Sequence, residues 1–328
     1  MDATVVIPVK NGADKLNFVL NRLYQQHTDY KFEVICIDSG STDGSLEIIQ
    51  KYILQDKETF KLYQIPKEEF GHGKTRNYGA GLGTGEFILF LTQDAVPYDE
   101  YWLQNFIDGM KLDSDIAGGF GKHYPYSDCD IFEANTLINF FEGFGKENTI
   151  FAIDKQKYEN DESYRHFVIF YSDNNSCMRR SVWEKYPYPD VDFAEDQQWA
   201  RKILELGYKK LYCPSAAVYH SHSYPAHTYK KRFFDEYKSL YKLHNFRLVT
   251  SKRQLLKGYL SIMKSRCIFL KNQEIPKKEK WKWLKYSIVK EWYRYYSGWL
   301  AGKYYLLSPE KQIKLDEKMS QQVEQIRG

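Results

Sequence analysis

The 328-residue chain has five cysteines, Cys36, Cys129, Cys177, Cys213 and Cys267, set far apart with no C-x-x-C pair. An odd, scattered set builds no disulfide framework and points to a reducing compartment. No stretch of about 18 apolar residues occurs, the length a bilayer core demands of a helix, so no segment is expected to span a membrane. The start, Met1-Asp2-Ala3-Thr4 running into Val5-Val6-Ile7, lacks a basic region followed by a long apolar run, so no signal peptide is expected. Internal repeats and low-complexity tracts are missing too. These absences together predict a cytoplasmic protein, at most peripheral on the inner face of the plasma membrane.

What is present begins with an ordinary globular balance, 43% hydrophobic and 27% charged residues, which predicts a buried core and excludes a disordered chain. Aromatics are abundant at 17%, with 28 tyrosines, and serve cores, sugar sites and membrane interfaces alike. The charge is unevenly placed. Residues 228–303 hold 20 Lys and Arg against 5 Asp and Glu, so with a whole-chain charge of +4 the remainder carries −11. Such sorting predicts a basic surface for something anionic, whether nucleic acid, phospholipid or a pyrophosphate-bearing lipid.

Strand and helix signals alternate through the first part. Thr4–Val9 is a short apolar run closed by Asn11-Gly12, and Leu16, Val19, Leu20 and Leu23 follow at helical spacing. Strands are expected at Phe32–Ile37, Lys61–Ile65, Glu86–Leu91 and Asp115–Phe120, with helices after Gly44, near Thr75–Leu82 and at Tyr101–Met110. This is an α/β pattern, βαβ units feeding a parallel sheet. Ligands in such sheets bind beyond the carboxyl ends of the strands, where Asn11, Asp38 and Asp94 fall. Past Tyr224 the alternation gives way to a basic, helical stretch rich in Tyr and Trp, with a break at Ile275-Pro276. Two domains are expected, 1–227 catalytic and 228–328 a helical extension.

Several segments carry chemistry. Asp38 closes the second strand ahead of Ser39-Gly40-Ser41-Thr42-Asp43-Gly44, where an acid can meet a nucleoside base or ribose while Ser41 or Asp43 caps the helix. Phe70-Gly71-His72-Gly73-Lys74-Thr75-Arg76-Asn77 offers Lys74 and Arg76 to a diphosphate. The run Gly79-Ala80-Gly81-Leu82-Gly83-Thr84-Gly85 is no dinucleotide fingerprint, since Thr84 stands where the third glycine belongs and the run precedes a strand. In Thr92-Gln93-Asp94-Ala95, Asp94 either holds a divalent cation against a diphosphate or starts a turn before Pro97. His220 and His222, one residue apart, point to one side of a strand and suit metal ligation, together or with Asp94; the other reading is structural. Glu195-Asp196 opens a helix, where acids suit the macrodipole and one of them can serve as general base.

Together and in this order, from Val5 to about Tyr224, these segments resemble glycosyltransferase family 2. Within it, the spellings at 70–77, 92–95, 175–180, 193–196 and 220–222 look like bacterial rhamnosyltransferases. The resemblance implies a GT-A fold, a Rossmann-like, mostly parallel sheet flanked by helices. It implies that Pro8, Asn11, Asp38, Arg76 and Gln93, with Asp94, line the nucleotide-sugar pocket. It implies that Asp94, the second acid of the family's D-x-D motif, holds Mn²⁺ or Mg²⁺, with His222 and His220 as late ligands. Asp196 matches the base of inverting members. Two positions depart from the pattern: Thr92 replaces the first acid of D-x-D, and Ser39 stands where many relatives carry a second acid.

The implied activity is inverting transfer, most simply of L-rhamnose from dTDP-β-L-rhamnose to a lipid-linked surface polysaccharide. The rival within the class is a UDP-sugar transferase. Outside it stands a nucleotidyltransferase or a sugar-nucleotide-binding protein, although no glycine-rich triphosphate loop follows the first strand. The tail is expected to meet an anionic membrane surface or a second subunit, and nucleic acid is not an expected partner.

Overall fold

A computed structural model describes residues 1–191 and 194–320, the side chains of 243 and 244 excepted. The Phe193 position of the 193–196 segment therefore lies outside the described residues. The chain divides into two compact units, one of Met1–Cys129 with Glu133–Ser221, the other of Asp130–Phe132 with the chain from His222 onward.

The first unit opens with β1 (Ala3–Val9), α1 (Ala13–Tyr24), β2 (Phe32–Asp38), α2 (Ser45–Gln55), β3 (Phe60–Gln64), α3 (His72–Leu82) and β4 (Phe87–Leu91). A short β5 (Val96–Pro97) leads to α4 (Trp102–Lys111) and β6 (Ile116–Tyr124). Then come α5 (Ile131–Glu142), β7 (Thr149–Phe151), α6 (Lys155–Asn160), α7 (Glu162–Ile169), β8 (Asn175–Arg179), α8 (Arg180–Trp183), α9 (Glu195–Glu205) and β9 (Lys209–Tyr219). Among the described residues these strands form one sheet in the order β3-β2-β1-β4-β8-β6-β9-β5, with β7 paired to β9.

The alternation of side chains along each strand builds a core on both faces. Val5, Ile7, Val9, Leu89 and Leu91 point to the face covered by Leu16, Val19, Leu20 and Leu23 of α1 and by Leu103, Phe106 and Ile107 of α4. Val6, Ile88, Phe90, Phe120 and Tyr212 point to the other, under Trp199, Ile203 and Leu204 of α9. Helix α3 lies close on β1 because residue 79 is glycine: a Cβ there would come within 2.4 Å of a Val6 methyl. The glycine run at 79–85 thus serves packing.

The sheet is mostly parallel through its first four strands, as expected, and mixed beyond them. β1, β2, β3 and β4 run parallel, as do β6 and β9, whereas β8 runs antiparallel to both β4 and β6. The segment after β6 makes α5, α6 and α7 and re-enters from the edge where β4 and β6 end, so β8 travels the other way. β9 also begins earlier than the apolar run Ala216–Tyr219 suggests. Lys209, Lys210 and Pro214 hide its first half from a hydrophobic pattern, and its register with β6 is irregular.

The second unit holds α10 (Tyr229–His244), α11 (Lys252–Asn272), α12 (Lys277–Ala301) and α13 (Pro309–Met319). Ile275-Pro276 separates α11 from α12, as the helix-breaking ring of proline requires. Its core gathers Phe234, Tyr237, Ala301, Tyr304 and Met319. Two buried ion pairs pin it, Lys290 to Asp130 at 2.7 Å and Arg266 to Glu291 at 2.7 Å. Among the described residues no helix is long and apolar enough to cross a membrane.

Candidate active site

The strand directions decide which residues meet. β1, β4, β6 and β9 all end at one edge of the sheet, and antiparallel β8 begins there. Helices α3 and α9, which lead into β4 and β9, start at that edge. Residues 10–12, 92–94 and 220 are therefore delivered by strand ends, 173 by the start of a strand, and 72–76 and 195–196 by helix starts.

The turn after β1 is tied to its neighbours by side chains. The Lys10 N–H donates to Gln93 Oε1 at 2.7 Å and Gln93 Nε2 donates to the Lys10 carbonyl at 3.0 Å, so Gln93 pairs with the turn as another strand would. Gly12 is required beneath it, since a Cβ would meet the Gln93 side chain at 2.4 Å. Asn11 takes a left-handed φ of 48°, donates its N–H to Ser41 Oγ at 2.9 Å and accepts from the Thr42 N–H at 2.8 Å. Asp38 is fully buried and accepts from the Gly40 and Ser41 N–H groups at 2.9 and 3.1 Å. These bonds make the carboxylate, expected at a base or ribose, also a shaper of the loop. Lys10 Nζ reaches the Ser39 and Gly40 carbonyls. Pro8, half-buried on β1, sits opposite Ile37 in the register.

Asp94 follows β4, its carbonyl accepting from the Tyr126 hydroxyl at 2.8 Å. Asp94 Oδ1 lies 3.6 Å from Nε2 of His220, which follows β9. Two donors this close can both reach one ion at ordinary ligand distances of about 2.0–2.2 Å. One carboxylate oxygen with one imidazole nitrogen suits Mn²⁺ better than Mg²⁺, which prefers an all-oxygen shell. His222 follows two residues on and opens the second unit, its ring stacked on Tyr224 with centroids 5.5 Å apart. Behind His220 stands His123 of β6, in an edge-on ring contact with centroids 5.3 Å apart. His123 Nε2 is buried without a hydrogen-bond partner, and burial holds its proton affinity well below the ordinary value, His220 adding to this. Nothing in the sequence around His123 distinguished it.

The second half of the site is an acid cluster. Arg76, only 2% exposed, places Nη1 3.0 Å from Asp173 and 3.6 Å from Glu195, and donates to the His72 carbonyl. Arg76, expected at a diphosphate, pairs here with Asp173 and Glu195. Asp196 is half-buried at the start of α9; its carboxylate accepts the Gln197 N–H at 2.7 Å and the Asp173 N–H at 3.3 Å. Burial, then the charge of Asp173, push the Glu195 carboxyl up to about 8 and that of Asp196 up to about 7. Ala194, just before them, holds a left-handed φ of 57°, which costs a non-glycine residue about 1–2 kcal/mol. Asp173 was missed by sequence reasoning, although Asp173-Asn174-Asn175 ahead of a strand is a visible polar signal.

The model of the family described as Glycosyl transferase family 2 matches residues 4–187. The chain is 32% identical over 238 residues to the O-antigen chain rhamnosyltransferase RfbN of Salmonella typhimurium, covering 72% of this chain and 71% of that protein. It is 30% identical over 237 residues to the O-antigen chain rhamnosyltransferase WbaN of Salmonella anatum, covering 71% and 70%. Its fold is that of Staphylococcus aureus TarS, with a TM-score of 0.54 at 17% identity over 95% of this chain and 77% of that one. It is likewise similar to the mannosyltransferase PcManGT from Pyrobaculum calidifontis in complex with GDP-Man and Mn²⁺, with a TM-score of 0.54 at 16% identity over 97% and 79%.

Proposed function

The chain belongs to glycosyltransferase family 2 and has the GT-A fold, and on that premise we propose that it is an inverting rhamnosyltransferase using dTDP-β-L-rhamnose. The observation that carries the sugar is the likeness, over about seven tenths of the chain, to two O-antigen chain rhamnosyltransferases. The lipid-linked surface polysaccharide acceptor is proposed on the same ground.

Asp196 is the general base in this reading. Its carboxyl, raised to about 7, lies near the pH at which a base both stays deprotonated and accepts a proton well. It takes the acceptor hydroxyl's proton as that oxygen attacks the anomeric carbon from the side opposite the diphosphate. The new glycosidic bond forms, the bond to the diphosphate breaks, and an α-L-rhamnoside results. The turn at 10–12, strapped by Gln93, and the loop shaped by Asp38 form the nucleotide side of the site. Asp94 and His220 would hold a divalent cation, which when bound supplies positive charge to the departing diphosphate.

The test starts with the donor. A thermal-shift panel of dTDP, UDP, GDP and their sugars with Mn²⁺ should give the largest rise with dTDP-rhamnose, because a ligand that binds only the folded state stabilises it. A larger rise with a UDP-sugar moves the assignment to that donor. Asp196→Asn should then lose transfer by about 10²–10⁴ in rate while keeping donor binding. Near-normal turnover in that variant removes Asp196 as the base.

The second unit is proposed to hold the enzyme at an anionic membrane surface, on the cytoplasmic face. What supports this is a stripe on α12, Trp281, Lys285, Ile288 and Trp292, in which Trp281 is 63% and Trp292 42% exposed. The spacing places all four on one helix face. Exposed Leu256 and Leu260 of the adjoining α11 extend the apolar surface. Trp in the headgroup region with Lys against anionic lipid fits this composition.

A further inference from the structure

The acid cluster holds three carboxylates around one guanidinium. Arg76 reaches Asp173 and Glu195, whereas Asp196, among the described residues, receives only backbone N–H groups, from Gln197 and Asp173. The other groups facing Asp196 are Tyr171 and Tyr188, both buried and uncharged at neutral pH, while His72 faces Arg76 and Asp173. With all three acids ionised, the buried group would carry two uncompensated negative charges, so one proton stays in the cluster.

We infer that Asp173, with Arg76 on its carboxylate, is a positioning residue for Asp196: its N–H fixes one oxygen of the base and its charge sets the pH at which transfer begins. Neither the Glu195-Asp196 spelling nor the relatives' names assign a role to residue 173. Two features carry the inference. The Asp173 backbone touches the base while its side chain does not, so orientation and charge come from separable parts of one residue. Arg76 is 2% exposed and its Nε is buried without a partner, so its charge is spent within the cluster and tempers Asp173 directly. Removing Asp173's charge therefore makes Asp196 a weaker base at lower pH, and removing Arg76's charge does the reverse. The upward displacement of Glu195 and Asp196, with Asp173 named after burial as its cause, agrees with this.

The inference rests on Asp196 as the base, and the test separates the two. Full-length chain labelled with carboxyl-¹³C aspartate is titrated by NMR, the Asp196 signal being the one absent from Asp196→Asn. In Asp173→Asn the Asp196 midpoint should fall by about one pH unit or more, and in Arg76→Met it should rise. The low-pH limb of dTDP-rhamnose turnover should move with each midpoint, so that below neutral pH Asp173→Asn is about tenfold less inhibited by protons. A merely structural role would move both variants the same way or neither. Midpoints that stay put, or shift in one direction together, overturn the inference. If Arg76→Met does not fold, the direction of the Asp173→Asn shift decides alone, since asparagine keeps the N–H and the shape. Should Asp196→Asn still turn over donor, the base assignment fails, whatever the titrations show.

Discussion

Lys210 gives the sharpest thermodynamic test of this fold. It sits fully buried on β9 with no carboxylate partner among the described residues, its Nζ donating to the carbonyls of Val168, at 2.7 Å, and Phe170. Phe120 and Phe151 lie 5.1 and 5.4 Å from the nitrogen. Burial pushes its pKa down to about 7. Because the unfolded lysine keeps a pKa near 10.4, the unfolded chain binds about one more proton than the folded chain between those values. Stability therefore rises with pH there, approaching about 1.4 kcal/mol per unit, or about 2 kcal/mol from pH 7, where the folded amine is half protonated, to pH 9. The carbonyls at the end of α7 and the ring faces favour the charged form, which makes this figure a ceiling. In Lys210→Met the pH-dependent term vanishes, while two buried carbonyls lose their donor at about 1–3 kcal/mol each. Urea denaturation at both pH values measures the gap between wild type and variant. The gap should widen in favour of wild type by up to about 2 kcal/mol as pH rises. Parallel behaviour would refute a buried lysine that loses its proton on folding. Opposite trends from other groups, Glu195 and Asp196 among them, cancel in the comparison.

Asp94→Ala and His220→Ala should each weaken Mn²⁺-dependent binding of a nucleoside diphosphate, and the double variant should lose less than the sum, because both act on one ion; unchanged Mn²⁺ dependence by calorimetry removes them from the site. Gln93→Ala deletes both hydrogen bonds to Lys10 and should lower folding stability by about 1–3 kcal/mol, with donor affinity falling too; denaturant midpoints and calorimetry read the two. Replacing Lys277, Lys278, Lys280 and Lys282 by Glu should reduce co-sedimentation with anionic liposomes, and wild-type binding should fall with added salt. Binding indifferent to lipid charge would leave the α11–α12 pair as an assembly surface.

The strands and helices around the site were readable because their patterns are local. The apolar run Phe87–Leu91 closes at Thr92-Gln93-Asp94, and Asp196 opens a helix whose apolar face repeats at Trp199, Ile203 and Leu204. Partnership was less readable, since it depends on strand direction. Arg76 stood out through its glycine-rich surroundings, whereas its pairing with Asp173 follows only from the placement of β8. Asp38 looked like a ligand group because it ends a strand, yet a carboxylate followed by Ser39-Gly40-Ser41 can equally fold the loop back onto itself. Gln93, placed in the pocket by the resemblance alone, also ties two strand ends together, which no local pattern announces. Lys210 was invisible for the opposite reason, because a lysine in a strand reads as solvent-facing and nothing local signals two carbonyls arriving from α7.

The antiparallel strand explains why Asp196 and the metal-suited pair share one edge without sharing residues. A wholly parallel sheet presents to its ligand edge only residues that come after a strand or begin a helix, and by that rule the edge receives residues 10–12, 92–94, 220, 72–76 and 195–196. Reversing β8 adds residues that precede a strand, and Asp173 arrives by that route, two residues ahead of Asn175. Asn175 anchors the entry, accepting from Trp102 Nε1 at 2.9 Å and donating to the Ala216 carbonyl at 2.8 Å. Asp196 is consequently held from two sides, by its own helix through Gln197 and by the incoming strand through Asp173. Lys210 completes the arrangement from β9 by fixing residues 168 and 170, the stretch of chain that delivers Asp173. Loosening either anchor should therefore show first in the acid cluster, as a change in the pH dependence of transfer, before any loss of donor binding at the opposite end of the site.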